Sequence, residues 1–387
     1  MKNSGFPVRF FMMYIIFYSV QAIYNSFVNL YLSDVGFSQA QIGMAVSVAT
    51  GALLLIQPLW GLASDRAKHK NSILYILLGA SGIAVLLFPL AHGFWWLLAV
   101  VALYSAVYFP IMPLQDNLTL EYLDGKKWDF GQIRMGGTLG YALSVVIVGW
   151  LLKDNYSRIF YMVSVGMAVC LGMAFLLPKV SGHRHGENRA PIRQIFRDRA
   201  MLCLIFYNLV YSLGSSLYYN FYPIYFQSIG GSSSYIGTMM FASAIAELPF
   251  LFFANKLVKR FGIPKMIVAS GFITSIRWAL LFALKDPVFI IITNLLHGVG
   301  FVVVNYCLAV YINTSVPKEL RATGQTMMAL LATIFSRLIF GYVGGLAADW
   351  LGVNNLMLFS AVTMLLGTAV FALWFRSIRM RAAVAAE

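Results

Sequence analysis

Six ionisable side chains stand in stretches that are otherwise apolar: Asp116, Arg134, Glu247, Arg277, His297 and Arg337. A charged group at the centre of a bilayer costs at least about 2.5–3.5 kcal/mol, so each needs a partner or a purpose. Carboxylates, guanidinium groups and an imidazole at such depth can bind a polar solute, take up and release protons, and exchange ionic partners. Structural ion pairs that lock helices together are the alternative reading of the same residues. Other chemistries find no support. No Gly-x-x-x-x-Gly-Lys-Ser/Thr loop is present, so ATP is not the energy source. No His, Cys, Asp or Glu cluster has metal-ligand spacing, His183 and His185 read as solvated loop residues, and no Ser/His/Asp arrangement is suggested. Neither an enzyme nor a bound cofactor is expected.

The elements that carry these residues follow from composition. Of 387 residues, 60% are hydrophobic and only 11% charged, with a mean hydropathy of +0.76. A soluble globular protein carries about 25% charged residues, so too few are present here to cover a water-soluble body. A porin-type barrel is excluded too, because its strands alternate in hydrophobicity and these apolar runs are unbroken. The chain reads as an all-α membrane protein. A helix needs about 20 apolar residues to cross the hydrocarbon. That length picks out twelve spans, at roughly 10–32, 40–62, 72–91, 94–122, 132–152, 158–178, 200–228, 235–255, 265–284, 287–314, 323–348 and 354–375. The first span, with Gln21, Asn25 and Asn29 and no small-residue cleavage site, is not a cleaved signal peptide.

The net charge of +14 would suggest nucleic acid in a soluble protein. Here 22 of the 28 Lys and Arg fall in alternate connectors and the termini, and three in the opposite connectors. This positive-inside pattern places both termini and the central loop in the cytoplasm and leaves no call for nucleic acid. Cys170, Cys203 and Cys307 lie in apolar segments and form no disulfide framework.

The two halves of the chain repeat. Tyr31, Gly36, Ser38, Ile42 and Gly43 recur as Tyr225, Gly230, Ser232, Ile236 and Gly237, each at an offset of 194 without a gap. Ser38 and Ser232 are natural N-caps, and Gln41 completes a capping box at the first. The organisation expected is a six-helix bundle over 1–178, a polar linker over 179–199 and a second bundle over 200–387. Two parallel six-helix repeats of this kind resemble the build of major facilitator transporters, whose site lies between the halves near the midplane. The loop Gly61-x-x-x-Asp65-Arg66-Ala-Lys68-His69-Lys70 resembles the loop signature of that superfamily. The resemblance implies a conformational latch at Gly61, Asp65 and Arg66.

Depth sorts the buried charges. At 1.5 Å per residue, Glu247 lies roughly 16 Å from the outer end of the eighth helix. Arg277 lies roughly 18 Å from the inner end of the ninth, and His297 roughly 15 Å from the outer end of the tenth. Asp116 and Arg134 share the cytoplasmic third. Two groups result: Asp116 with Arg134, and Glu247 with Arg277 and His297.

The stretches Pro113-Leu-Gln-Asp116, Gly131-Gln-Ile-Arg134, Gly140-Tyr141, Ala246-Glu247, Ile276-Arg277-Trp278 and Leu296-His297-Gly298 carry a closer resemblance. They look like the phenylpropionate permease and lactose permease branch of the superfamily. The resemblance implies that Asp116 and Arg134 bind substrate, that Tyr141 stacks on it, and that Arg277 and His297 couple it to protons. It puts Glu247 about one turn from the matching coupling carboxylate. One departure stands out: the branch has an acid one turn after the histidine, where this chain has Gly300. Proton coupling then falls to Glu247 or Asp116.

Further lining residues are expected on the first helix, where Gln21, Asn25 and Asn29 form one polar face, and on the tenth, where His297 and Asn305 share a face. Arg337, in the eleventh helix, has no acid near it in sequence. Three buried arginines against two carboxylates suggest an anionic substrate as the missing charge. The function expected is a proton-coupled importer of a small polar solute, a sugar or small organic acid, working by alternating access. Export of amphipathic drugs or metabolites by proton antiport is the alternative. The partners implied are the solute, protons and the lipid bilayer of the cell membrane, with nothing demanding more than a monomer.

Overall fold

The computed structural model describes residues 5–91, 93–123, 126–128, 130–152, 155–179, 199–315, 328, 330–332 and 334–384. Among these, each expected span has a helix. They are α1 (Val8–Asp34), α2 (Gln39–Arg66), α3 (Lys70–Ala84), α4 (Phe94–Leu123), α5 (Phe130–Leu152) and α6 (Arg158–Phe175). The second set is α7 (Arg199–Ser228), α8 (Ser233–Phe261), α9 (Ile263–Ala283), α10 (residues 287–315), α11 (Leu330–Leu351) and α12 (Val353–Val384). Ten are long and apolar enough to cross a membrane, and Pro287–Gly300 within α10 is a shorter apolar helix. The chain is a multi-pass helical membrane protein.

Contacts group the residues into two compact units, Met1–Gly186 with Ser232–Phe241, and Glu187–Gly231 with Ala242–Glu387. In the first, α1 packs on α5 and α6, and α3 on α4 and α6. In the second, α7 packs on α11 and α12, and α9 on α10 and α12. Each pairing recurs six helices later.

The repeat holds down to single hydrogen bonds. At the end of α1, Phe37 N–H donates to the Leu32 carbonyl at 3.1 Å; at the end of α7, Gly231 N–H donates to the Phe226 carbonyl at 2.9 Å. Both turns depend on a glycine with positive φ, Gly36 at 96° and Gly230 at 89°, where a side chain would be strained. The capping box between Ser38 and Gln41 is present.

Among the described residues α4 and α10 both leave α-helical geometry partway along, and sequence explains the first. In α4 the α-helix stops at Tyr108 and resumes at Ile111. Pro110 has no N–H to give to the Ala106 carbonyl, and Trp60 of α2 donates its Nε1–H there instead, at 2.9 Å. In α10, Pro287–Thr293 gives way to a 3-10 turn, Asn294–Leu296, before the α-helix resumes at His297. Here the Asn294 amide and the Thr293 hydroxyl donate to the Ile290 carbonyl at 3.1 and 2.7 Å. The interruption lies at the polar cluster described next.

Candidate functional site

In the first unit the polar side chains follow α1. Tyr14, Tyr18, Gln21 and Asn25 recur at the three- and four-residue spacing of one helical face. Close approach of α5 brings Arg134 to that face: a side chain at Gly140 would run into the backbone of Ile15, and Ser19 Oγ donates to the Gly140 carbonyl at 3.2 Å. Small residues at such crossings let membrane helices touch backbone to backbone.

The expected Asp116–Arg134 group forms here, but not as a direct ion pair. Tyr14 donates its hydroxyl to Asp116 Oδ1 at 2.6 Å. Arg134 donates from Nε to the Tyr18 hydroxyl at 3.3 Å. The two tyrosine rings are neighbours, with centroids 6.0 Å apart. α1 thus inserts two hydroxyls between the charges, one as donor and one as acceptor. Asp116 is half-buried and Arg134 exposed, so neither charge is closed off by the protein. Tyr141 is half-buried and its hydroxyl meets Ser26 Oγ at 3.3 Å. Gln21 is half-buried and Asn25 exposed, whereas Tyr24 turns into an aromatic cluster with Phe88, Tyr104 and Tyr108.

The second unit holds a denser network. Arg277, only 2% exposed, donates from Nη1 to His297 Nδ1 at 3.1 Å. From Nη2 it donates to the Tyr218 hydroxyl at 2.6 Å and to Asn294 Oδ1 at 2.7 Å. Its guanidinium carbon lies 4.5 Å from the centre of the Tyr218 ring, a cation–π contact. A guanidinium only donates, so His297 Nδ1 must accept and the ring proton sits on Nε2. That Nε2–H faces the Tyr219 hydroxyl at 2.9 Å and Glu247 Oε1 at 3.5 Å. The carboxylate and the cation are therefore separated by one neutral imidazole. The Glu247 side chain keeps 26% of its surface exposed, whereas Arg277 is closed off.

Two glycines set this geometry. A side chain at Gly298 would strike the backbone at Ala246, so α10 lies directly against the turn of α8 that bears Glu247. One at Gly300 would strike Thr274, while Ser270 Oγ donates to the Gly300 carbonyl at 3.3 Å. The position where the resemblance leads one to expect an acid is here a close contact between α9 and α10.

Other expectations fare differently. Gly61 and Arg66 are exposed at the end of α2; the side chains of Asp65 and Asn305 lie outside the described part of the structure. Among the described residues an ionic link at this loop joins Lys70, whose side chain is 3% exposed, to Glu121 of α4, with Asn71 Nδ2 donating to the Pro178 carbonyl at 3.2 Å. Arg337 is exposed on a π-helical turn, Ile334–Ile339, and is not without an interaction partner. Sequence reasoning missed Tyr14, Tyr18, Ser243 and Asn294. The first two carried a signal in their four-residue spacing opposite Asp116, whereas Ser243 and Asn294 look like any small polar residue of a membrane helix.

Comparison with known proteins is consistent across sequence and structure. The MFS_1 like family matches residues 8–361. The chain is 25% identical to a maltose permease of Geobacillus stearothermophilus, over 96% of this chain and 94% of that one. It is 24% identical to a probable 3-phenylpropionic acid transporter of Escherichia coli, over 86% and 90%. A crystal structure of the nucleoside transporter NupG superposes with a TM-score of 0.82 at 19% identity, over 95% of this chain and 98% of that one.

Proposed function

The chain belongs to the MFS_1 like family of major facilitator transporters, and from that premise we propose that it imports a small hydroxylated solute together with protons. Two six-helix halves, 1–178 and 200–387, rock about the linker 179–199, with both termini cytoplasmic. The observation that carries the coupling is the Glu247–His297–Arg277 series. Arg277 cannot lose its charge, and its nearest carboxylate among the described residues stands one imidazole away.

With Glu247 ionised, the His297 Nε2–H has an anion to point at, and the charge of Arg277 is offset across the ring. Protonation of Glu247 removes that offset. A buried, uncompensated cation is expensive, so Arg277 must then find new partners, and the helices that carry it must shift. Glu247 is the group for this task because Gly300 leaves no room for an acid at its own position. The Lys70–Glu121 link would act beside Gly61, Asp65 and Arg66 as the latch between α3 and α4.

The substrate class follows from Asp116 and Arg134. Each is already bonded to a hydroxyl, as acceptor from Tyr14 and as donor to Tyr18. A solute with neighbouring hydroxyl groups can replace both without leaving a charge unsatisfied, and Gln21, Asn25 and Tyr141 lie along the same helices to meet it. The test is uptake of labelled maltose, uridine and 3-phenylpropionate into proteoliposomes under an imposed pH gradient. The hydroxylated probes should accumulate, and Glu247→Gln should abolish accumulation. A Glu247→Gln protein that still concentrates its probe would remove Glu247 from the mechanism.

A further inference from the structure

Asn294 is fully buried, at 0% exposure, in the turn where α10 leaves α-helical geometry. Its Oδ1 accepts from Arg277 Nη2 at 2.7 Å, from Ser243 Oγ at 2.9 Å and from the Tyr218 hydroxyl at 3.0 Å. Its Nδ2 donates to the Ile290 carbonyl at 3.1 Å and to the Tyr222 hydroxyl at 3.3 Å. One side chain thus joins α7, α8 and α9 to its own helix. Its orientation is fixed as well, because Arg277 only donates and the atom facing it must be the oxygen.

Arg277 is held less completely. Its Nε–H is buried without a hydrogen-bond partner among the described residues, whereas both polar atoms of the Asn294 amide are engaged. The amide is the fixed point of the network, and the arginine is the group with slack. The chemistry of the contact also matters. A carboxylate at this place would form an ion pair with the guanidinium, cancel its charge and fix the cation. An amide aligns it without cancelling its charge.

We propose that Asn294 is the positioning residue for Arg277: its oxygen keeps the guanidinium in register with His297 Nδ1, and its neutrality lets the guanidinium change partners when Glu247 changes charge. The transport consequence rests on the coupling reading above; the positioning itself does not. No motif of the sequence points to this residue.

Two measurements on the full chain in liposomes test it. The first is nitrogen NMR of isotopically labelled histidine, with His297→Gln used to assign the resonance. The wild-type protein should show a single Nε2–H tautomer at His297, Asn294→Leu a mixture, and Asn294→Asp, which keeps an acceptor of the same shape, the single tautomer again. An unchanged tautomer in Asn294→Leu overturns the proposal. The second is pH-driven uptake of labelled maltose, uridine and 3-phenylpropionate. Asn294→Asp should lose about tenfold or more in accumulation while keeping the single His297 tautomer of the first measurement. Accumulation equal to wild type in that variant overturns the proposal as well. If the wild-type chain accumulates none of the three probes, the coupling reading fails, and the tautomer measurement decides the role of Asn294 by itself.

Discussion

In the first half, Asp116 and Arg134 each bond to a tyrosine hydroxyl on α1 and keep part of their surface open. In the second half, Arg277, His297 and Asn294 are closed off and bond to one another and to the tyrosines of α7. The residue types are similar, and the difference lies in who completes the contacts. Hydroxyls on α1 can be exchanged singly for those of a solute, at the modest free energy of one hydrogen bond each. In the second network no member can leave without stranding another, so it must rearrange together. On the function proposed above, one half binds the solute and the other stores the charge state.

The sharpest way to break this contrast is to remove one arginine from each half. Arg277→Leu leaves His297 Nδ1 without its donor in a buried site and takes one of three donors from the Asn294 oxygen, and should lower stability by about 1–3 kcal/mol. Arg134→Leu, from an exposed position, should lower it by less than about 1 kcal/mol while raising the KM for a hydroxylated probe. Thermal denaturation of the two variants in the same lipid, followed by Trp fluorescence, measures the difference. Equal losses would mean that the halves are not built differently.

A smaller effect sharpens the role of packing. Gly300→Asp restores an acid where related permeases lead one to expect it, yet the side chain must displace Thr274. Overpacking of this kind should cost about 1–3 kcal/mol, visible as a lower melting temperature without improved pH-driven uptake. The mildest test concerns the first half alone. Tyr14→Phe deletes the donor to Asp116, a hydrogen bond to a charged group worth about 1.5–3 kcal/mol when fully buried and less at this half-buried carboxylate. The expected result is a change in KM with little change in maximal rate. Transport kinetics with labelled maltose or uridine would show it.

Much of this was readable along the chain. Span positions follow from local hydropathy and helical rise, and the helices bear them out; the repeat at Gly36 and Gly230 follows from residue identity at one offset and returns as the same turn. The break in α4 was signalled by Pro110. The break in α10 was not, because neither a proline nor a glycine lies within Asn294–Leu296 and the turn is stabilised by side-chain bonds to Ile290.

The amino-acid sequence by itself determined that this chain is a duplicated helical membrane protein with a few ionisable groups held at depth. Hydrophobicity and helical rise are properties of neighbouring residues, so they need no knowledge of the fold. Only the tertiary structure decided who meets whom. Tyr14 and Tyr18 separate Asp116 from Arg134, His297 separates Glu247 from Arg277, and Asn294 joins four helices. Those choices depend on how each helix is rotated and how closely glycines such as Gly140 and Gly298 let backbones approach, and no spacing along one helix encodes either.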